Sequence, residues 1–306
     1  MRIAVMGAGG LGGYFGARLA AGGADVHFIA RGCHLQALRD GGLRIVGPQP
    51  LHIEGVQATD DAASVGAVDL VMLCVKLWDT PAALEQIRPL VGAHTAIVSF
   101  QNGVLKDDAV RAAYGSAPVM GGVGYVATSI DAPGVIRQTG PMQRLLFGEF
   151  DGSHSARGQA FLQACLAGGI NAELSGDIRR EIWQKFVFLV GLSGTTATIR
   201  QPIGAIRQHP QTRAFLLDVM REVVAVGRAH GMDLPADYAE RRLALADDVA
   251  PDMTSSMHHD LERGNPLEVR WLAGAVVQLG QERDVPTPLN RAIADILALH
   301  AKAGQA

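Results

Sequence analysis

The sequence predicts two unlike domains, an α/β domain with a doubly wound, mostly parallel sheet and an all-α domain that follows it. Short apolar runs alternate with helical stretches in the first half, the pattern of βαβ units with right-handed crossovers. The second half has helical periodicity and no clear run of strand length. Because the composition changes near residue 175, we expect one domain over residues 1–175 and a second over residues 176–306.

Four buried parallel strands are expected in the first half, each an apolar run that ends at a glycine or a polar residue. They are Ile3–Met6, Val26–Ile29, Leu70–Val75 and Ala96–Phe100. The other elements predicted there are helices at Leu11–Ala21 and Pro81–Leu90, a strand at Val119–Val126, and a terminal hairpin of Val135–Gln138 with Leu145–Phe147. The helices predicted for the second half are Arg179–Thr198, Gln211–His230, Leu267–Gln281 and Asn290–Ala303.

Composition argues against several function classes. The 306 residues carry a formal net charge of −3, with 48% hydrophobic and 19% charged residues, so no global field favours nucleic acid or an anionic membrane. Cys33, Cys74 and Cys165 are too few and too widely spaced for a disulfide framework or a structural zinc site, and a reducing cytoplasm is the expected location. The adjacent pair His258-His259 would point in different directions on a helix, so no metal site is predicted.

The most specific motif is Gly7-Ala8-Gly9-Gly10-Leu11-Gly12, a G-x-G-x-x-G sequence between the first strand and the first helix. In a Rossmann domain the first glycine permits the tight turn, the second lets the backbone approach a pyrophosphate, and the third lets helix and strand pack closely. The free N–H groups at the start of the helix then face the phosphates. The alternative is a glycine-rich turn without a ligand, but the strand–turn–helix context favours dinucleotide binding.

Arg31 indicates which dinucleotide is bound. An NAD site usually has Asp or Glu at the end of the second strand, where the carboxylate accepts hydrogen bonds from the ribose hydroxyls. Here that strand is followed by Ala30-Arg31-Gly32, and a guanidinium at this place would bind a 2′-phosphate. NADP(H) is therefore the expected cofactor, with a solvated surface arginine as the alternative.

Lys76 and Asn102 each follow a predicted strand of the parallel sheet. Ligands of open α/β sheets bind at the edge formed by the carboxyl ends of the strands, so both residues are expected near that edge. Lys76 is a candidate contact for a phosphate or the adenosine ribose, and the alternative is a surface lysine. Asn102 is a candidate contact for cofactor or substrate, and the alternative is a simple Asn-Gly turn.

The second domain offers two catalytic candidates. Lys185 lies within an apolar helical stretch, where burial would suit it to acid–base chemistry, although a lysine can also extend out of a packed face. Glu268, near the start of another helix, could partner Lys185 or a ribose hydroxyl. The alternative for Glu268 is a charge that the helix dipole favours.

Taken in this order, the motifs resemble the ketopantoate reductase family (2-dehydropantoate 2-reductases) along nearly the whole chain. Besides the residues above, the matching segments are Gln101-Asn102-Gly103, Pro133-Gly134-Val135-Ile136, Ile182-Trp183-Gln184-Lys185 and Ser255-Ser256-Met257. The resemblance implies a Rossmann domain joined to a helical domain, and NADPH as hydride donor to the 2-oxo group of a small 2-oxo acid.

The resemblance also implies roles for single residues. Lys185 would protonate the developing alkoxide, Asn102 would touch cofactor and substrate, and Glu268 would help to hold the cofactor and the lysine. Ser256 would bind substrate, and Ala127 would give a backbone contact to the nicotinamide end. Family members commonly carry asparagines for polar substrate groups at the positions that are here Leu189, Ser193, Ile203 and Met253. We therefore expect reduction chemistry to be kept and recognition of ketopantoate's hydroxyl to be weakened.

Three functions are compatible with these observations. The leading one is an NADPH-dependent 2-oxo acid reductase. The second is a related hydroxyacid or opine-type dehydrogenase, and the third is a non-catalytic NADP(H)-binding sensor. Lys185 and Glu268 favour an enzyme, since a pure binder has no chemical need for that pair. The expected partner is a small-molecule 2-oxo acid, with neither nucleic acid nor membrane, and the sequence is compatible with a homodimer.

Overall fold

The computed structural model describes residues 1–301, which divide into two compact units. The first unit comprises Met1–Gln101 and Lys106–Ile178, and the second comprises Asn102–Leu105 together with the chain from Arg179 onward. The short segment Asn102–Leu105 therefore belongs with the helical part of the chain, although it lies among the strands in the sequence. The sequence pattern does not indicate this exchange.

The first unit contains one mixed sheet of ten strands. The strands are β1 (Arg2–Met6), β2 (Asp25–Ile29), β3 (Leu43–Val46), β4 (Leu51–Ile53), β5 (Gln57–Thr59), β6 (Leu70–Leu73), β7 (Ala96–Ser99), β8 (Val119–Ala132), β9 (Val135–Gly148) and β10 (Ala172–Leu174). Their order is β4-β3-β9-β8-β7-β6-β1-β2-β5, with β10 beside β9. All neighbouring pairs from β5 to β8 are parallel, whereas β8 and β9, and β3 and β4, are antiparallel. The predicted doubly wound, mostly parallel sheet is confirmed.

The central strands are apolar throughout because both faces of the sheet are covered. Successive side chains of a strand point to opposite faces, and in β1 Ile3 and Val5 enter one core while Ala4 and Met6 enter another. The first core is completed by α1 (Gly10–Ala21), α2 (Gly32–Gly41) and α5 (Ala156–Ala167). The second is completed by α3 (Thr80–Gln86) and α4 (Lys106–Tyr114).

The predicted hairpin of Val135–Gln138 with Leu145–Phe147 is wrong, since both segments lie in the single strand β9. The hairpin of the structure joins β8 to β9 through Pro133 and Gly134. Between the pairs Val126–Gln143 and Thr128–Gln138, one residue of β8, Ala127, lies opposite four residues of β9. The Gly-Pro pair in those four residues marks an irregularity rather than a reversal of the chain.

The second unit is helical in the residues described. Its helices are α6 (Ile178–Ile199), which begins at the last residue of the first unit, α7 (Ile203–Gln208), α8 (Pro210–Ala229), α9 (Tyr238–Asp248), α10 (Ser256–Glu262), α11 (Ala273–Gln281) and α12 (Pro288–Leu297). The helices predicted at Arg179–Thr198 and Gln211–His230 are confirmed as α6 and α8. Among the helices described up to residue 301, none combines the length and apolar character needed to span a membrane.

Two helix predictions in this unit need correction. The helix predicted for Leu267–Gln281 is divided into a 3₁₀ helix at Glu268–Trp271 and α11, because Leu272 has non-helical backbone angles, φ −105° and ψ −97°. Apolar side chains remain buried on both sides of this break, so periodicity could not reveal it. The helix predicted for Asn290–Ala303 ends at Leu297 and is followed by a 3₁₀ turn, and its last two residues lie outside those described.

Candidate active site

The glycine motif forms the turn between β1 and α1. Gly7 has φ +98°, and a Cβ atom there would lie 2.9 Å from the Val75 side chain, so this position requires glycine. A Cβ atom on Gly12 would lie 2.1 Å from the Gly7 carbonyl oxygen and 3.0 Å from the side chain of Val5 in β1, which shows how closely the helix packs on the turn and the strand. A Cβ atom on Gly9 would meet no heavy atom within 4 Å, so the turn is open at this residue.

The start of α1 is suited to an anion. Gly9 is the N-cap residue, so no side chain caps the first N–H groups, and no acidic residue lies in the first turn. The N-terminus of a helix carries a partial positive charge and unpaired donors, which together favour a phosphate. An open turn followed by uncapped donors fits a dinucleotide pyrophosphate, and the individual cofactor contacts stay a prediction.

Arg31 follows β2 as the N-cap residue of α2, with its side chain 84% exposed. One guanidinium nitrogen lies 3.2 Å from Oδ2 of Asp79, a residue in the 3₁₀ turn Leu77–Asp79 after β6. The second strand itself ends without a carboxylate, but folding brings this one from 48 residues away. A 2′-phosphate at Arg31 would therefore meet both an attractive and a repulsive group.

The carboxyl ends of β6 and β7 are tied by Gln101, whose part in the structure the sequence did not indicate. Its Nε2 donates to the Val75 carbonyl at 2.9 Å and lies 2.8 Å from the Thr80 hydroxyl, and its Oε1 accepts from the Ser99 hydroxyl at 3.0 Å. Lys76 follows Val75, half-buried, with its ammonium 5.5 Å from the Trp78 ring centroid. The network fixes the strand ends that precede Lys76 and Asn102.

A buried ion pair supports the same strand end. Lys106 and Asp107 have side chains only 2% and 3% exposed, and the Lys106 ammonium lies 3.0 Å from the carboxylate and 2.7 Å from the Ser99 carbonyl oxygen. Burial lowers the pKa of Lys106 and raises the pKa of Asp107, and their mutual attraction opposes both effects. The sequence missed this pair because Lys-Asp-Asp at a helix start resembles an ordinary solvated charge cluster.

In the second unit, the Nζ atom of Lys185 donates a hydrogen bond to Oδ1 of Asn102 at 3.1 Å. Lys185 is half-buried on α6, and Asn102 lies in the Asn102–Leu105 segment of the same unit. Gly103 has φ +88°, and a Cβ atom there would lie 3.1 Å from the Trp271 carbonyl oxygen. The glycine thus permits the close approach of this segment to the 3₁₀ helix that begins at Glu268.

The other predicted site residues differ in exposure. Glu268 is buried, at 7% exposed, whereas Ser256 is exposed as the first residue of α10. The preceding Ser255 is buried as the N-cap of that helix, and its hydroxyl pairs with that of Thr196 at 2.9 Å. In the first unit Ala127 is exposed at the irregularity of β8.

The four positions that depart from the family pattern lie in or against the apolar core of the second unit. Ile203 is fully buried, and Leu189 and Met253 are partly buried against the same core. The Ile203 N–H donates to the Met253 carbonyl at 2.9 Å, which places these two side by side. Ser193 is 1% exposed, and its hydroxyl makes no hydrogen bond to the residues that the structure describes.

Neither a cluster of metal-binding side chains nor a reactive buried thiol is found in the part of the chain that the structure describes. Within residues 1–301 there is no group of three or more His, Cys, Asp or Glu side chains that could hold a metal ion. Cys33 is exposed, Cys74 is partly exposed and Cys165 is buried, and all three are free. Burial raises the pKa of the Cys74 and Cys165 thiols, which makes both poor nucleophiles.

Known proteins match most of the length of the chain. Residues 3–152 match the family model described as ketopantoate reductase PanE/ApbA, and residues 177–301 match that of its C-terminal part. A relative from Mesorhizobium japonicum, named 2-dehydropantoate 2-reductase, is 36% identical over 94% of each chain.

Two solved structures share this fold along nearly their whole length. A PanE/ApbA family ketopantoate reductase from Ralstonia eutropha is 32% identical, with a TM-score of 0.89 and 98% of each chain covered. A 2-dehydropantoate 2-reductase from Geobacter metallireducens is 28% identical, with a TM-score of 0.92, 98% of this chain covered and 99% of that one. The chain belongs to the ketopantoate reductase family, and it is an oxidoreductase with a Rossmann dinucleotide-binding domain.

Proposed function

We propose that this protein reduces a 2-oxo acid to a 2-hydroxy acid with NADPH as the hydride donor. The observation that carries the proposal is the hydrogen bond between Lys185 and Asn102, which holds an ammonium beside a residue that lies three positions after the end of β7 in the sequence. Ligands of open α/β sheets bind outside the carboxyl ends of the strands. Relatives named 2-dehydropantoate 2-reductase support the class of substrate.

The first unit supplies the residues that would hold the cofactor. The backbone of the Gly7–Gly12 turn would receive the pyrophosphate, and Arg31 would receive the 2′-phosphate. Lys76 would contact the adenosine side, and the backbone at Ala127 the nicotinamide end. NADPH, when bound, supplies the hydride.

The second unit supplies the acid chemistry. As a carbonyl is reduced, negative charge develops on its oxygen, and a positioned ammonium stabilises that charge and delivers a proton. Lys185 is proposed for this role, with Asn102 orienting its Nζ atom and contacting both ligands. Glu268 is proposed to hold the cofactor and the lysine, and Ser256 to bind the substrate.

The substrate we propose has an apolar side chain or tolerates one. An apolar wall stabilises an apolar group by burial, about 25 cal/mol for each Å² removed from water. Leu189 and Met253, which are only partly buried, offer no hydrogen bond to a substrate hydroxyl from their side chains, and an unpaired buried hydroxyl costs about 1–3 kcal/mol. Branched apolar 2-oxo acids should therefore compete with ketopantoate.

The test is NADPH oxidation followed against a panel of 2-oxo acids that includes ketopantoate and its analogue without the hydroxyl. Turnover with at least one of them is expected, and the Lys185→Ala variant is the matched control for non-enzymatic oxidation. Tight NADPH binding without turnover of any 2-oxo acid would contradict the reductase and favour a sensor. Efficient oxidation of 2-hydroxy acids without measurable reduction would favour the dehydrogenase.

A further inference from the structure

His34, on α2, connects two segments of the first unit that are far apart in sequence. Its Nε2 atom lies 2.8 Å from the carbonyl oxygen of Ala8, inside the glycine motif. Its Nδ1 atom accepts a hydrogen bond of 3.1 Å from the N–H of Gly134, in the turn between β8 and β9. One imidazole therefore joins the proposed phosphate-binding turn to the end of the antiparallel hairpin.

The hairpin contacts the start of α1 at two further places. A Cβ atom on Gly10 would lie 2.7 Å from the Thr128 carbonyl oxygen, and one on Gly13 would lie 3.0 Å from the Ile136 side chain. Gly134 itself has φ +75°, which favours glycine in the turn. The Pro133-Gly134-Val135-Ile136 segment, to which the chemistry assigns no role, is thus the part of the hairpin that supports the glycine turn.

The two contacts of His34 determine its protonation state. A nitrogen that accepts from Gly134 carries no hydrogen, so the proton of the neutral ring is on Nε2 and is donated to Ala8. Burial lowers the pKa of His34, against the opposing effect of the Ala8 carbonyl. The neutral ring with Nε2–H is thus the form that satisfies both neighbours at neutral pH.

The Ala8 carbonyl matters because of the peptide that contains it. In a planar trans peptide the C=O of one residue and the N–H of the next point in opposite directions. A donor that holds the Ala8 oxygen therefore directs the Gly9 N–H away from His34. Gly9 is the N-cap of α1 and the residue at which the turn is open.

We infer that His34 is a positioning residue for the cofactor, which orients the Gly9 amide toward the dinucleotide phosphates through its hydrogen bond to Ala8. The inference rests on the proposed binding of NADPH. It requires no contact between the imidazole and the nucleotide, and no part in the chemical step. The hairpin, through Gly134, keeps the ring in the tautomer that can donate to Ala8.

Two substitutions separate the bonds. In His34→Gln the side-chain amide can take the place of Nε2 and still donate to Ala8, whereas in His34→Asn the amide oxygen can take the place of Nδ1 and still accept from Gly134. We expect His34→Asn to raise the Kd of NADPH about three- to tenfold, the effect of one hydrogen bond, and His34→Gln to stay within about twofold. In both variants kcat at saturating NADPH should equal that of the unmutated protein.

The measurements are fluorescence titration with NADPH, steady-state kinetics and thermal unfolding of the same samples. Equal losses of affinity in both variants, or a loss that only parallels the fall in Tm, would leave His34 with a merely structural role and overturn the inference. A second test needs no variant: ¹⁵N NMR of the unmutated protein should show His34 protonated on Nε2 only, and protonation on Nδ1 at neutral pH would also overturn it. Failure of the unmutated protein to bind NADPH would instead remove the proposed function and this inference with it.

Discussion

The ammonium of Lys185 and the side-chain oxygen of Asn102 are joined by a 3.1 Å hydrogen bond between residues that lie 83 positions apart. A lysine ammonium has three hydrogens, so it can donate to more than one acceptor. Asn102 also follows the strand end that Gln101 fixes. The pair therefore gives the Lys185 ammonium a defined direction within the second unit, beside Asn102.

Replacing Lys185 by alanine should abolish most turnover while NADPH still binds. In the proposed reaction the ammonium acts on charge that appears on the carbonyl oxygen during reduction, so its loss should affect the reaction more than the binding of cofactor. General acids contribute about 10²–10⁴-fold, and we expect kcat to fall by that factor. Stopped-flow single turnovers with NADPH bound at the outset measure the step directly. A variant with near-normal kcat would remove Lys185 from the mechanism.

Arg31 and Asp79 should have opposite effects on the choice of cofactor. Arg31→Ala should weaken the binding of NADPH about tenfold or more and leave the binding of NADH nearly unchanged, because a charge-assisted contact is worth about 1.5–3 kcal/mol. Asp79→Asn should strengthen the binding of NADPH relative to that of NADH, since it removes a negative carboxylate 3.2 Å from the guanidinium that would receive the 2′-phosphate. Kd values for both nucleotides at low ionic strength provide the comparison, because Arg31 is exposed and salt screens its charge. If the ratio of the Kd values for NADPH and NADH is unchanged in both variants, neither side chain contacts the 2′-phosphate.

Breaking the Lys106–Asp107 pair should destabilise the protein more than removing it. Lys106→Met leaves a buried carboxylate alone, at a cost of about 3–5 kcal/mol in the free energy of unfolding. Lys106→Met combined with Asp107→Leu leaves no buried charge, so most of that loss should be recovered. Urea unfolding of the unmutated protein, the Lys106→Met variant and the double variant measures how much of the loss is recovered. A double variant as unstable as the single one would mean that the bond from Lys106 to the Ser99 carbonyl, rather than the ion pair, stabilises this end of β7.

The sequence was sufficient to predict those features that are determined by a short stretch of consecutive residues. Gly7 and Gly12 occupy positions that exclude other side chains, and the order strand, glycine turn, helix is contained in one short segment. The alternation of Ile3, Ala4, Val5 and Met6 between two cores likewise follows from the strand period of two.

The features that the sequence did not predict depend on contacts between residues that are distant in the chain, and composition and periodicity do not encode such contacts. Asp79 reaches Arg31 from 48 positions away, and His34 reaches Gly134 from 100. The burial of Lys106 and Asp107 depends on what packs over the start of α4, which a charged tripeptide does not reveal. The short strands β3, β4, β5 and β10 were missed because, unlike the equally short β6 and β7, none of them is a continuously buried apolar run.

The proposal of an apolar wall beside the substrate can be tested at Leu189, one helical turn beyond Lys185 on the same face of α6. Leu189→Asn adds an amide that can pair with ketopantoate's hydroxyl, so kcat/KM for ketopantoate should rise about five- to tenfold relative to the analogue without the hydroxyl. Leu189→Ala is the matched control, because it removes the same apolar surface without adding a hydrogen-bond partner and should lower both values together. The ratio of the two kcat/KM values isolates the pocket, since the hydride chemistry is common to both substrates. If the asparagine and alanine variants give the same ratio, Leu189 does not face the substrate hydroxyl, and the proposed preference for apolar side chains loses the support of this residue.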